Sequence, residues 1–218
     1  MSRVCRISPR QPQLDRIERA VRILKDGGVV ILPTRGLYGL GCVASNAAAV
    51  RRVFDIKNRP IGKPLLVLIS HAGMLPEVVS SVSPLAQRLM AAFWPGRITL
   101  IMQGRNDLSP GLCDPTGKVG VRLAGHPVAA ALVEAVGTPI TGTSANLSGD
   151  GAADRIGAID DGVTASVDMI LDAGILMGGP GSTVVDVTGR RPRILREGAV
   201  AAEDISRAAG AGAASNSG

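Results

Sequence analysis

Apolar positions first recur at helical spacing over residues 12–25, where Ile17, Ala20, Val21 and Leu24 share one face and charges fill the other. Gly27-Gly28 ends that helix. A continuous apolar run over 29–32 then stops at Pro33 and predicts a short buried strand. The next stretch, Arg35-Gly36-Leu37-Tyr38-Gly39-Leu40-Gly41, is rich in glycine and reads as a turn. Ser45 or Asn46 can cap a second helix through residue 57, with Val50, Val53 and Phe54 on one face.

Strand-like runs follow at 65–69, 98–102, 119–123, 140–143, 169–171, 183–187 and 192–195. Helical patterns lie between them at Pro84–Phe93 and Pro127–Val136. That alternation predicts an α/β domain with a mixed sheet. The late strands can pair antiparallel, with Thr188-Gly189 as one tight turn. No internal repeat is visible. The expected organisation is one domain over residues 1–207, then a flexible tail of Ala, Gly, Ser and Asn over 208–218.

Composition narrows the chemistry. The 218 residues are 45% hydrophobic but only 2% aromatic, so the core is aliphatic. Few rings also means few stacking platforms, which argues against sequence-tolerant binding of single-stranded nucleic acid. A net charge of +6 points to anionic partners without choosing among nucleotides, phosphates and nucleic acid. Cys5, Cys42 and Cys113 are too dispersed for a disulfide framework or a zinc site and suit a reducing compartment. Without a signal-like start or a membrane-length apolar run, a soluble cytoplasmic protein is expected.

Neither His71 nor His126 sits in a metal or nucleophile pattern, and no Gly-x-Ser-x-Gly elbow occurs. The stretch 111–118 misses the P-loop, because five residues separate its glycines and Val119 stands where Ser or Thr is required. The residues that remain are basic or small and polar. Lys57, Arg59 and Lys63 flank a helix C-terminus and a Pro60-Ile61-Gly62 turn, which suits a phosphate and equally suits a helix dipole. Thr143 to Gly149 supplies hydroxyls and an amide after a strand, as anion donors or as a plain cap. Arg122 lies inside an apolar strand, where a charge needs a carboxylate or phosphate from the protein or from a ligand.

Taken together, these segments resemble the YrdC-like domain of threonylcarbamoyl-AMP synthases, in its short single-domain form. The matching stretches are Leu32-Pro33-Thr34 with Tyr38-Gly39-Leu40-Gly41, Lys57-Asn58-Arg59-Pro60 with Lys63-Pro64-Leu65, and Phe93-Trp94-Pro95-Gly96 with Thr99-Leu100. They continue through Val119-Gly120-Val121-Arg122 with His126-Pro127, Ser144 to Gly149, Ser182 to Asp186, and Arg193-Ile194-Leu195-Arg196. After Pro33-Thr34 the family usually has an acidic residue and a small one such as Thr; here Arg35 and Gly36 stand instead. Leu68 stands where some relatives place a His.

The resemblance implies a twisted, partly open α/β barrel around a positively charged cavity. It implies synthesis of L-threonylcarbamoyladenylate from L-threonine, bicarbonate and ATP with Mg²⁺, releasing pyrophosphate, for threonylcarbamoyladenosine modification of tRNA. Lys57 and Arg59 would be catalytic. Arg59, Lys63, Lys118, Ser144, Asn146 and Arg196 would bind ATP, and Thr34, Gly36, Arg122, Gly142 and Ser182 would hold threonine, with no metal held by protein ligands. Downstream transferases would take the product to tRNA. Two other readings stay open: a paralogue that holds tRNA or double-stranded RNA on a basic surface, and an enzyme making a carbamoyl adenylate from another substrate.

Overall fold

The apolar run before Pro33 forms the central strand of a sheet, buried on both faces, in a computed structural model that describes residues 3–60 and 62–210. The chain begins with β1 (Val4–Arg6), α1 (Leu14–Lys25), β2 (Val30–Pro33), β3 (Tyr38–Gly41), α2 (Ala47–Ile56) and β4 (Val67–Ile69). Next come α3 (Pro84–Phe93), β5 (Ile98–Gln103), β6 (Lys118–Leu123), α4 (Pro127–Val136), β7 (Ile140–Thr141) and β8 (Thr143–Ser144). The last elements are α5 (Asp161–Ser166), β9 (Met169–Asp172), β10 (Thr183–Asp186), β11 (Arg193–Arg196) and α6 (Ala202–Gly210).

Local chemistry explains the helix starts. Asn46 accepts from the Ala49 N–H at 3.0 Å and caps α2, while Ser83 caps α3 ahead of Pro84. His126 is used the same way: its Nδ1 accepts from the Val128 N–H at 3.2 Å to open α4. Gly137, at φ 79°, closes that helix in the left-handed region.

The strands form two mixed sheets, in the orders β1-β9-β2-β3-β8 and β11-β10-β5-β6-β4-β7. The segment 140–144 belongs to both. Its first half, β7, pairs antiparallel with β4, and its second half, β8, pairs antiparallel with β3. The sheets therefore meet along one seam while β1 and β11 remain separate edges, which makes a partly open barrel. Gly142 is the hinge of the seam. Its N–H donates to Leu66 O at 2.9 Å, and a Cβ there would collide with the Leu68 side chain. Gly142→Ala should cost about 1–3 kcal/mol of stability through overpacking, and Leu68→Ala in the same chain should recover part of it. Urea unfolding of the two single variants and the double variant measures this.

Several elements differ from their sequence-based expectation. Residues 38–41 are not part of a turn but form β3, paired antiparallel with β2. Their glycines permit close strand approach: a Cβ on Gly39 would lie 2.9 Å from Thr143 O. The turn is confined to residues 34–37, closed by the Thr34 N–H donating to Leu37 O at 2.9 Å. β1, α5 and α6 were not foreseen. Helix α6 runs to Gly210, three residues into the stretch expected as a tail, and 211–218 lie outside the described residues. The pairing of β10 with β11 is antiparallel, as expected.

Candidate active site

Between the inner faces of the two sheets lies a cavity of about 390 Å³, in the usual range for a small-molecule site. Strand alternation builds its floor. Along β6, Val119 and Val121 are fully buried in the core, so Gly120 and Arg122 face the cavity. On β5, Thr99 and Ile101 face it, and Ser182 and Val184 join them from the β10 side. Arg59, Arg122 and Arg196 all reach the wall, and no carboxylate lines it among the described residues.

Arg122 is held by a short polar relay. Its Nε donates to Thr99 Oγ1 at 3.2 Å, and Thr99 Oγ1 lies 2.6 Å from Ser182 Oγ. Among the described residues the Nη atoms of Arg122 have no partner and no acid pairs with it. Burial, with a smaller contribution from the positive charge of Arg196, draws its pKa down to about 10. An unpaired guanidinium in such a place is poised for a ligand anion. Arg196 donates to Ser182 O at 2.9 Å, which ties it to the same cluster.

At the other end Arg59 is fixed by Nε to Lys63 O at 2.8 Å and by Nη2 to Pro64 O at 3.0 Å. Burial lowers its pKa as well. Ser144 lines the cavity beside it and donates to Asn146 Oδ1, while Asn146 Nδ2 donates to Asp150 O at 2.6 Å.

Lys57, expected beside the reacting atoms, turns inward. It is 1% exposed, and its ammonium donates to Ser144 O, to Asn146 O at 2.6 Å and to Asn146 Oδ1 at 3.0 Å. All three protons are used to hold the Ser144–Asn146 segment. Burial, and then the charge of Arg59, lower its pKa to about 8. Asn146 supports Ser144 from behind and is not part of the wall.

Other expected residues are divided. Thr34, Arg122, Gly142 and Ser182 do line the cavity, although the Thr34 hydroxyl donates to Leu37 O at 2.6 Å. Gly36 lies off it, in a small annex. Lys63 is exposed on the loop beside Arg59 and does not form the wall. Lys118 also misses the wall, because its Nζ pairs with Asp186 Oδ2 at 2.9 Å. Thr99 belongs to a quoted family stretch but was given no role, and the structure puts it in the wall. A lone hydroxyl in the apolar run of β5 was the available signal.

Asp186 anchors the outer end of this sheet. Its carboxyl is 6% exposed and also accepts from the Thr188 N–H and hydroxyl at 2.9 and 2.6 Å. Burial favours the neutral acid, but the Thr188 hydrogen bonds and Lys118 outweigh it and hold the pKa at about 2. A depressed carboxylate pKa stabilises the fold above its unfolded value, and this contribution fades as pH falls through the folded one. Asp186→Asn should therefore cost about 2 kcal/mol near neutrality, with the gap to wild type closing between pH 4 and 2 in urea unfolding.

Comparison with known proteins agrees with this architecture. The Sua5_yciO_yrdC family model, described as telomere recombination, matches residues 22–198. A threonylcarbamoyl-AMP synthase of Bacillus subtilis is 34% identical across 91% of this chain, which spans 57% of that protein. A putative threonylcarbamoyl-AMP synthase of Mycobacterium tuberculosis is 36% identical, with 91% of each chain covered. Among solved structures, Pyrococcus abyssi Sua5 complexed with L-threonine superposes with a TM-score of 0.88 at 28% identity, covering 95% of this chain and 61% of that one. Escherichia coli YciO gives 0.84 at 31% identity, covering 94% of this chain and 100% of that one.

Proposed function

The chain belongs to the Sua5/YciO/YrdC family, and on that premise we propose that its cavity joins L-threonine, bicarbonate and ATP into L-threonylcarbamoyladenylate and pyrophosphate. The observation that carries this reading is a cavity walled, among the described residues, by three arginines and no carboxylate, with Arg122 held in place but paired with no anion among them. Such a wall suits substrates that bring several negative charges together.

The chemistry needs no protein nucleophile. The threonine amine attacks bicarbonate, forming a C–N bond and releasing water, and leaves a carbamate. A carbamate oxygen then attacks the α-phosphorus, and the bond to pyrophosphate breaks. Catalysis on this account is positioning plus neutralisation of charge. Arg59, Ser144 and Arg196 face the triphosphate. Arg122, steadied by Thr99, takes the threonine carboxylate, with Ser182 and the Gly142 backbone beside it. Lys57 acts through Ser144 and is a positioning residue. Lys63 adds charge beside Arg59, and Lys118 braces the sheet through Asp186.

Mg²⁺ enters with ATP as part of the substrate. The described residues contain no group of three His, Cys, Asp or Glu side chains that could hold a metal, whereas triphosphate oxygens and water suit this ion. The product serves threonylcarbamoyladenosine formation in tRNA, with downstream transferases as partners in the cytoplasm. No helix among the described residues is long and apolar enough to cross a membrane.

Pyrophosphate release from ATP and Mg²⁺ in bicarbonate buffer, with and without threonine, tests the proposal. Release that requires threonine supports it. ATP binding with no response to threonine contradicts it.

A further inference from the structure

A second, smaller hollow opens off the main cavity. Its volume is about 30 Å³, and Arg35, Gly36, Gly96, Arg122, Pro180 and Ser182 help to wall it. Arg122 and Ser182 line both spaces, so the hollow adjoins the end assigned above to threonine. Arg35 makes no hydrogen bond or ion pair with the described residues, and no carboxylate lines the hollow.

Two glycines keep the hollow small. The Gly36 carbonyl accepts from the Gly178 N–H at 2.9 Å, and a Cβ on Gly36 would stand 2.5 Å from Gly178 O. Any side chain there would push the Gly178 backbone away. On the opposite side a Cβ on Gly96 would lie 3.1 Å from Arg35 Cδ, so glycine lets the arginine stem pack closely.

Two arginines thus line one space in which no carboxylate takes part among the described residues. The room exceeds that of a single water but suits neither an amino acid nor a phosphate chain. Among the three proposed substrates, only bicarbonate has that size and charge. It must also sit beside the threonine amine for the first bond to form.

We propose that this hollow is the bicarbonate site, with Arg35 and Arg122 holding the ion. The inference rests on the threonylcarbamoyladenylate reading. When the amine attacks, the new C–N bond replaces a C–OH bond, and hydroxide leaves with an amine proton as water. The negative charge stays on the carbamate, between the same two arginines, until its oxygen reaches the α-phosphorus.

Titration of the full chain with ¹³C-bicarbonate, followed by NMR line broadening, tests the site without turnover. It is run alone and with threonine plus a non-hydrolysable ATP analogue. Wild type should show saturable binding, Arg35→Gln should weaken it by about tenfold or more, and Arg35→Lys should restore part of it. In pyrophosphate assays the KM for bicarbonate should rise by a similar factor while that for ATP holds. Saturable binding by Arg35→Gln as tight as wild type, or no saturable binding by wild type under either condition, overturns the site. So does a rise in the KM for threonine alone. Bicarbonate binding that depends on Arg35, in a protein that releases no pyrophosphate with threonine, keeps the site and removes the reaction assigned to it.

Discussion

Arg122→Met lowers threonine-dependent turnover by at least about 100-fold and, in the same protein, raises the melting temperature of the ligand-free state. The two effects have one cause. Arg122 keeps a guanidinium inside the barrel with only Thr99 Oγ1 as a partner among the described residues. A charge left without its counterion is a burden on the empty fold, and an apolar side chain of similar reach removes that burden. A gain of about 1–2 kcal/mol, or roughly 2–8 °C, is expected. The catalytic loss arises because methionine offers nothing to a carboxylate, and lysine is a poor substitute where a planar fork is needed. Thermal melting and steady-state kinetics on one preparation measure both. Lost activity together with lost stability would mean that Arg122 supports the fold rather than a ligand.

Lys57→Met should behave in the opposite way. Removing the ammonium strips the donor from three acceptors, Ser144 O, Asn146 O and Asn146 Oδ1. Breaking a buried charged network of this kind costs about 3–5 kcal/mol. Arg is no remedy, because a space that leaves Lys57 1% exposed has no room for a guanidinium. Urea denaturation should show the full loss. Turnover should fall even where the variant is still folded, since Ser144 is no longer held against the cavity. A Lys57→Met protein as stable as wild type but inactive would instead place the ammonium in the chemistry.

These two residues show what a sequence can and cannot disclose. Arg122 was legible as a charge in an apolar strand, and only its partner was open; no acid pairs with it among the described residues. Lys57 was legible as a cation near a helix end, but charge pattern does not say which way a side chain turns. The backbone carbonyls that capture it belong to a segment nearly ninety residues further along the chain, by the separations of 87 and 89. The partner of Lys118 was hidden for the same reason, because Asp186 is brought to it only by sheet order. Elements such as α3 and α4 announced themselves through their helical pattern. β3 did not, since Gly39 and Gly41 look like turn residues until the strand beside them is known. The three-residue β1 carries too little pattern to stand out, and it forms by pairing with β9.

The central claim is that one cavity builds a mixed anhydride from three substrates, and the nucleotide product tests it most directly. Purified protein is incubated with ATP, Mg²⁺, threonine and ¹³C-bicarbonate, and the nucleotides are resolved by mass spectrometry. The account predicts an adenylate with the mass of threonylcarbamoyl-AMP that carries one ¹³C and disappears when threonine is omitted. Pyrophosphate release that yields only AMP, or an adenylate without the label, would contradict it.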